Sequence, residues 1–160
     1  MTNLTIRKAQ HGDTELILKF IVELAIYEEA EEEVVTTRNH IDKTLFCKKP
    51  NVHGLIAELD GRAVGFAVYF FSYSTWLGKH GIYLEDLFVA PESRGSGAGK
   101  ALLKELSKIA VRNDCGRVEW SVLDWNEPSI KFYEAMGAKP KDGWTVYRLD
   151  DQALIDFANA

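Results

Sequence analysis

The chain of 160 residues is poor in the side chains that build cross-links and metal sites. It has two cysteines, Cys47 and Cys115, and four histidines. The cysteines stand alone without metal-ligand spacing, and no two histidines are four residues apart. The sequence therefore predicts two free thiols and no metal cofactor.

Long apolar runs and an excess of basic residues are also missing. No stretch is long enough to span a membrane, and residues 1–8 lack the apolar core of a signal peptide. We therefore expect a cytoplasmic protein with no membrane partner. The formal net charge is 19 − 24 = −5, which disfavours a nucleic-acid partner and mildly favours a cationic one. A length of 160 residues with 46% hydrophobic residues fits one globular domain, residues 1–160.

Hydrophobic periodicity predicts an α/β domain. Helices are expected from Asp13 to about Glu28, after a cap at Thr36 or Thr37, after the glycine-rich loop to about Asp114, before Gly137, and over 151–158. Asp60-Gly61 predicts a hairpin, so part of the sheet is antiparallel. The predicted strands are 4–9, 52–59, 63–72, 82–89, 117–123 and 144–149.

A glycine-rich turn joins the strand at 82–89 to the following helix. The turn reads Arg-Gly-Ser-Gly-Ala-Gly-Lys over residues 94–100, after Pro91 ends the strand. Glycines let backbone N–H groups converge, and a helix N-terminus adds positive potential. This combination predicts a phosphate or pyrophosphate site.

Two common phosphate loops do not fit these residues. A Walker loop is excluded because Arg94 and Ala101 stand where glycine and a hydroxyl residue are needed. A dinucleotide fingerprint is excluded because its third glycine would fall on Lys100. The pattern that fits is Arg-x-x-Gly-x-Gly, filled by Arg94, Gly97 and Gly99.

A second motif follows over 126–137, where an asparagine precedes a helix that carries Phe132-Tyr133 and ends at Gly137. Together the two motifs resemble the GNAT superfamily of N-acetyltransferases. Further segments resemble its diamine (spermidine/spermine) and thialysine N-acetyltransferases; these are 23–28, 76–79, 83–86 and 125–129.

The resemblance implies a mixed, mostly antiparallel central sheet with helices on both faces. Splayed central strands would form a slot for acetyl-CoA. The implied enzyme is a homodimer that transfers an acetyl group to the primary amine of a small cationic acceptor, a diamine, a polyamine or a thialysine-like amino acid, by direct attack in a ternary complex. Two alternatives stay open: acetylation of a protein lysine or N-terminus, and a non-catalytic CoA-binding regulatory module.

The resemblance also implies roles for individual residues, with Tyr133 as general acid. The expected acetyl-CoA contacts are Leu87, Phe88, Val89, Arg94, Gly95, Ser96, Gly97, Ala98, Gly99, Lys100, Asn126, Glu127, Pro128 and Ser129. The expected acceptor groove comprises Tyr27, Glu28, Trp76, Glu85, Glu119, Trp120, Ser121 and Asp142. From the sequence, Trp76 is either an exposed groove wall or a packed core residue.

The chemistry requires proton removal, because a terminal amine has a pKa of about 10.4 and arrives protonated. A phenol with a pKa of about 10 can donate to a departing thiolate, which suits Tyr133. Adjacent strand residues point to opposite faces, so only one of Glu85 and Asp86 is expected to face the reaction. The resemblance selects Glu85, as base or as an anchor for the cation.

Overall fold

The computed structural model describes residues 2–160, which form two compact units that meet in sequence between Ser121 and Val122. The second unit holds α4 (Glu127–Glu134) and α5 (Asp151–Ala158). The first unit holds, in order, β1 (Leu4–Lys8), α1 (Thr14–Tyr27), α2 (Arg38–Leu45), β2 (Val52–Leu59), β3 (Arg62–Ser74), β4 (Lys79–Val89), α3 (Ala98–Arg112) and β5 (Val118–Glu119).

The first unit is built on a five-stranded sheet in the order β1-β2-β3-β4-β5. Neighbouring strands are antiparallel from β1 to β4, and β4 pairs with β5 in parallel. The predicted hairpin joins β2 to β3, and its two turn residues, Asp60 and Gly61, have φ angles of 52° and 79°. Such left-handed angles at both positions match the twist of the flanking strands. The sheet is therefore mixed and mostly antiparallel, as expected.

Helices cover both faces of this sheet. On one face, Phe20 of α1 packs against Phe66 and Phe88, at ring-centroid distances of 5.5 and 5.8 Å. Burying each such side chain stabilises the fold by roughly 1.5–3 kcal/mol. Successive strand residues point to opposite faces, so Tyr69 lies on the other face, where charges on α3 act on its phenol. The apolar stripe of α3 is buried, with Leu106 fully enclosed.

The start of α1 is fixed by an ion-pair network. Asp13 precedes the helix as predicted, but its carboxylate accepts hydrogen bonds from the Arg7 guanidinium at 2.7 and 2.9 Å and from the Gln10 N–H at 2.7 Å. Arg7 also donates to Glu58 on β2 at 2.7 Å. The hydrogen bonds from Arg7 are the largest cause of a lowered pKa at Asp13. This network joins α1 to the sheet edge formed by β1 and β2.

Strand β4 pairs with β3 to its end, with one irregularity near its middle, but it leaves β5 early. Val68 of β3 pairs with Asp86, and the next residue, Tyr69, pairs with Leu84. Glu85 is therefore an extra residue, a β-bulge. On the other side, β5 pairs only with Ile82 and Tyr83, while β4 continues to Val89. The expected splay between central strands is thus confirmed.

Two predicted segments have other bounds in the structure, and one predicted strand is absent. The strand expected at 117–123 is only Val118–Glu119, and the loop expected at 74–81 is shorter because β3 and β4 extend to Ser74 and from Lys79. The strand expected at 144–149 is absent from the described chain. Alternation gives a segment strand propensity, but a strand also needs a neighbour to pair with. Val146 and Tyr147 are instead 86% and 92% exposed.

The close approach of β3 to the end of β4 gives a test. Gly65 lies opposite Val89, and a methyl group there would sit 2.5 Å from the Phe88 carbonyl oxygen. Gly65→Ala should therefore displace the end of β4 and lower the free energy of unfolding by about 1–3 kcal/mol, measured in denaturant. Gly12→Ala is the control, because a methyl group at Gly12 meets nothing within 4 Å. Equal stability of the two variants would contradict this packing.

Candidate active site

The loop after β4 has the shape expected of a phosphate cradle. Gly95 and Gly97 have φ angles of 81° and 88°, a left-handed conformation that favours glycine. A helix of 15 residues, α3, begins directly afterwards at Ala98. Its first N–H groups have no acceptor within the helix, and its dipole is positive at this end. A pyrophosphate fits this donor set, with Arg94 and Lys100 exposed beside it.

Arg94 connects this loop to the end of α1. Its guanidinium carbon lies 4.7 Å from the centre of the Tyr27 ring, within the range of a cation–π contact. Its Nε donates a hydrogen bond to the Val89 carbonyl at 3.3 Å. The structure therefore brings together two sets predicted separately, the cofactor loop and the acceptor groove.

Two carboxyl groups, those of Glu28 and Glu85, lie near enough for their charges to act on a third, that of Asp86. Glu28 directly follows α1, while Glu85 and Asp86 belong to β4. Burial raises the pKa of Asp86 to about 6, and the negative charges of Glu85 and Glu28 add to this effect. Burial also raises the pKa of Glu28. The site therefore combines negative charge with partial exclusion of water.

The bulge corrects the expectation for Glu85 and Asp86. Across the ladder, Val68 opposes Asp86 and Phe66 opposes Phe88. Val68, Phe66 and Phe88 all belong to the core cluster that packs against α1, so Asp86 shares that face. The alternation rule applies to a regular strand and fails where an extra residue is inserted. Glu85 occupies the bulge and is exposed.

Part of the groove predicted after β5 lies beside β4. The Ser121 hydroxyl is 3.0 Å from the Tyr83 hydroxyl, two residues before Glu85. Glu119 forms an ion pair with Arg117, and Trp120 is half-buried. Ser121 is thus held near the bulge, whereas the Glu119 carboxylate already has a cationic partner.

Trp76 is not brought to the other groove residues of this unit. It lies in the turn between β3 and β4 and is 88% exposed, so the packed-core alternative is excluded. Six residues of extended strand separate Lys79, at the start of β4, from Glu85, or about 20 Å at 3.3 Å per residue.

The second unit presents the motif around Tyr133 on α4. Asn126 is 5% exposed and caps the helix, its side-chain oxygen accepting the Ser129 N–H at 3.4 Å. Pro128 occupies the first turn, as predicted. Tyr133 is half-buried, and its ring centre is 5.4 Å from that of Phe132.

Two further predicted site residues belong to the same unit. A Glu127 carboxylate oxygen is 3.6 Å from the Lys131 ammonium nitrogen, and Asp142 is exposed beyond the helix.

Sequence reasoning missed the position of Asp86 and the contact between Arg94 and Tyr27. Both depend on long-range geometry, since neither a bulge nor a contact across 67 positions has a local sequence signal. Among residues 2–160, no group of three or more possible metal ligands is found. No helix in the same range combines the length and apolar character needed to cross a membrane.

A mixed sheet that splays beside a glycine-rich loop and a helix N-terminus is the arrangement expected from the resemblance to N-acetyltransferases. The sequence profile of the acetyltransferase (GNAT) family matches residues 23–138. This chain belongs to that family and is an N-acetyltransferase.

Individual relatives agree with this assignment. The chain is 36% identical to thialysine N-epsilon-acetyltransferase of Bos taurus over an alignment that covers 99% of each protein. It is 35% identical to human spermidine/spermine N(1)-acetyltransferase-like protein 1, covering 99% of this chain and 24% of that protein. Among solved structures, an integron cassette protein from the mobile metagenome of V. cholerae matches with a TM-score of 0.82 at 24% identity, covering 98% of each chain.

Proposed function

We propose that this enzyme transfers the acetyl group of acetyl-CoA to a primary amine of a small cationic acceptor, a thialysine-like amino acid or a diamine or polyamine. The observation that carries the proposal is the set of three carboxyl groups, Glu28, Glu85 and Asp86, beside the glycine-rich loop. A protonated amine is attracted by such groups. The 36% sequence identity to a thialysine N-epsilon-acetyltransferase, over 99% of both proteins, supports the same acceptor class.

The glycine-rich loop would hold the pyrophosphate of acetyl-CoA through backbone N–H groups and the cations of Arg94 and Lys100. Backbone groups of 87–89, on the part of β4 that has left β5, would hold the pantetheine and acetyl part. Residues 126–129 would contact the cofactor further along. One backbone N–H of β4 would donate to the oxyanion that forms on the acetyl carbon.

The acceptor would bind between the end of α1 and the bulge of β4. Tyr27, Glu28, Glu85 and Ser121 are the nearest candidates, with Glu119, Trp120 and Asp142 as further ones. Trp76 precedes Lys79, which is itself about 20 Å from Glu85 along β4, so we propose that it contributes from the second subunit of a dimer. Glu85 acts on the ammonium as base or as anchor, and Tyr133 protonates the departing sulfur.

We also propose that both units form one N-acetyltransferase domain and that the enzyme is a homodimer. The family match crosses the boundary at Ser121, which supports a single domain.

Exposed apolar side chains on the second unit support the homodimer, among them Val146 at 86% and Phe157 at 75%. Sedimentation velocity should give twice the chain mass of 18.1 kDa, and a single chain mass would contradict the dimer. The cytoplasmic location stays a prediction.

The function is tested with acetyl-CoA and a panel of acceptors. The panel contains thialysine, amino acids with a terminal amine, diamines, polyamines, and a peptide with a free lysine and N-terminus. We expect CoA release and a mass increase of one acetyl group on the small amines, above a control without acceptor. Turnover of the peptide alone would favour protein acetylation, and no turnover on any acceptor would overturn the proposal.

Removing the Tyr133 hydroxyl tests the proposed general acid. Tyr133→Phe should lower kcat by roughly 100-fold, because loss of a proton donor costs about that much. The Kd for acetyl-CoA, measured by calorimetry, should stay within about 3-fold of the unmodified enzyme, since the phenol acts on the leaving sulfur only in the reaction. Tyr147→Phe, at a side chain that is 92% exposed, is the control. Loss of acetyl-CoA binding in Tyr133→Phe would instead make Tyr133 structural.

A further inference from the structure

We infer that Asp86, rather than Glu85, takes the proton from the acceptor's ammonium group, while Glu85 and Glu28 hold the cation. This inference deepens the proposed function and rests on it. It assigns a catalytic role to a residue that the sequence patterns had placed on the face away from the reaction.

The register of β4 turns Asp86 toward the face that α1 covers. The extra residue at Glu85 returns Asp86 to the face of Val68 and Phe88, which is the face that α1 covers. Glu28 at the end of α1 is near enough for its charge to act on Asp86. Asp86 therefore shares the face of β4 that α1 covers, within reach of the Glu28 charge at the end of that helix.

The two adjacent acids, Glu85 and Asp86, have different surroundings. Glu85 is exposed to solvent, whereas Asp86 is half-buried. The charged groups that act on Asp86 are both acidic, Glu85 from its own strand and Glu28 from α1, and the β3 residue opposite is the uncharged Val68. None of the salt bridges within residues 2–160 includes Asp86. A bound ammonium would supply the missing positive charge.

These surroundings suit a proton acceptor. Burial and like charge hold the pKa of Asp86 at about 6, and a general base is most effective when its pKa lies near the working pH. An unperturbed glutamate has a pKa of about 4.3, more than one pKa unit lower, and is a weaker base. The difference in pKa between the base and an amine of pKa about 10.4 is therefore smaller for Asp86 than for such a glutamate.

The proton balance closes with the residues already named. One N–H bond of the ammonium breaks and an O–H bond forms on Asp86, which later releases the proton to solvent. The neutral nitrogen forms its bond to the acetyl carbon, and the carbon–sulfur bond breaks. The thiolate takes the Tyr133 phenol proton, and the surplus proton on the new amide nitrogen restores that phenol.

The test compares Asp86→Asn with Glu85→Gln on two acceptors: the best amine of the panel, and an analogue whose amine pKa lies well below that of Asp86, so that it stays neutral over the whole pH range assayed. On the ordinary amine, Asp86→Asn should lower kcat at least 100-fold with KM for the amine within about 5-fold. On the low-pKa amine, which arrives neutral, the same variant should be within about 3-fold of the unmodified enzyme. Glu85→Gln should chiefly raise KM on the ordinary amine.

The pH profile supplies a second readout that needs no variant. Asp86 is active as the base only when ionised, so kcat/KM on the ordinary amine should fall as pH drops through about 6. With the neutral acceptor this acidic limb should disappear. An acidic limb that persists with the neutral acceptor would overturn the inference, even if Asp86→Asn fails to fold.

Other outcomes also decide the matter. If Asp86→Asn keeps its kcat and Glu85→Gln loses the acidic limb, Glu85 is the base and the inference is wrong. If Asp86→Asn is equally defective on both acceptors, with acetyl-CoA binding and melting temperature unchanged, Asp86 only positions the amine. Absence of turnover by the unmodified enzyme on every amine would overturn the proposed function, a result distinct from either of these.

Discussion

Strand β4 must pair with β3 on one side while it leaves β5 on the other. The sheet resolves this conflict with one extra residue, Glu85, and with a β5 that pairs at only two positions. A bulge increases the local twist and re-aims the side chains beside it. The position of Asp86 and the course of β4 into the glycine-rich loop depend on this irregularity, as does the opening that we propose for the acetyl arm.

In the proposed function, the two substrates place opposite electrostatic demands on neighbouring parts of the chain. A pyrophosphate requires positive potential, which the start of α3 and its flanking cations provide. An amine must be attracted as a cation yet lose a proton, which favours carboxyl groups that are partly withheld from water. The end of α1 borders both regions, since Tyr27 contacts Arg94 and Glu28 acts on Asp86.

Local signals predicted much of this structure. The Asp60-Gly61 hairpin, the Thr37 cap and the glycine-rich loop followed by α3 depend on residues close in sequence, and all are present. Features that depend on distant partners were missed or wrong. The bulge arises from the register with β3, and the segment 144–149 has strand alternation without a strand to pair with in residues 2–160. The sequence interpretation assumed regular alternation through β4, and the bulge at Glu85 breaks that alternation.

In the mechanism that we propose, the bulge places the Asp86 carboxylate at the nitrogen that is acetylated. A crystal structure with a conjugate that joins the acceptor nitrogen to CoA through an acetyl linker would show this directly. The account predicts an Asp86 oxygen within hydrogen-bond distance of that nitrogen, about 3 Å, or one water away. It also predicts Glu85 beside the remaining positive charge of the acceptor. A nitrogen bound by Glu85, with Asp86 out of reach, would contradict the account.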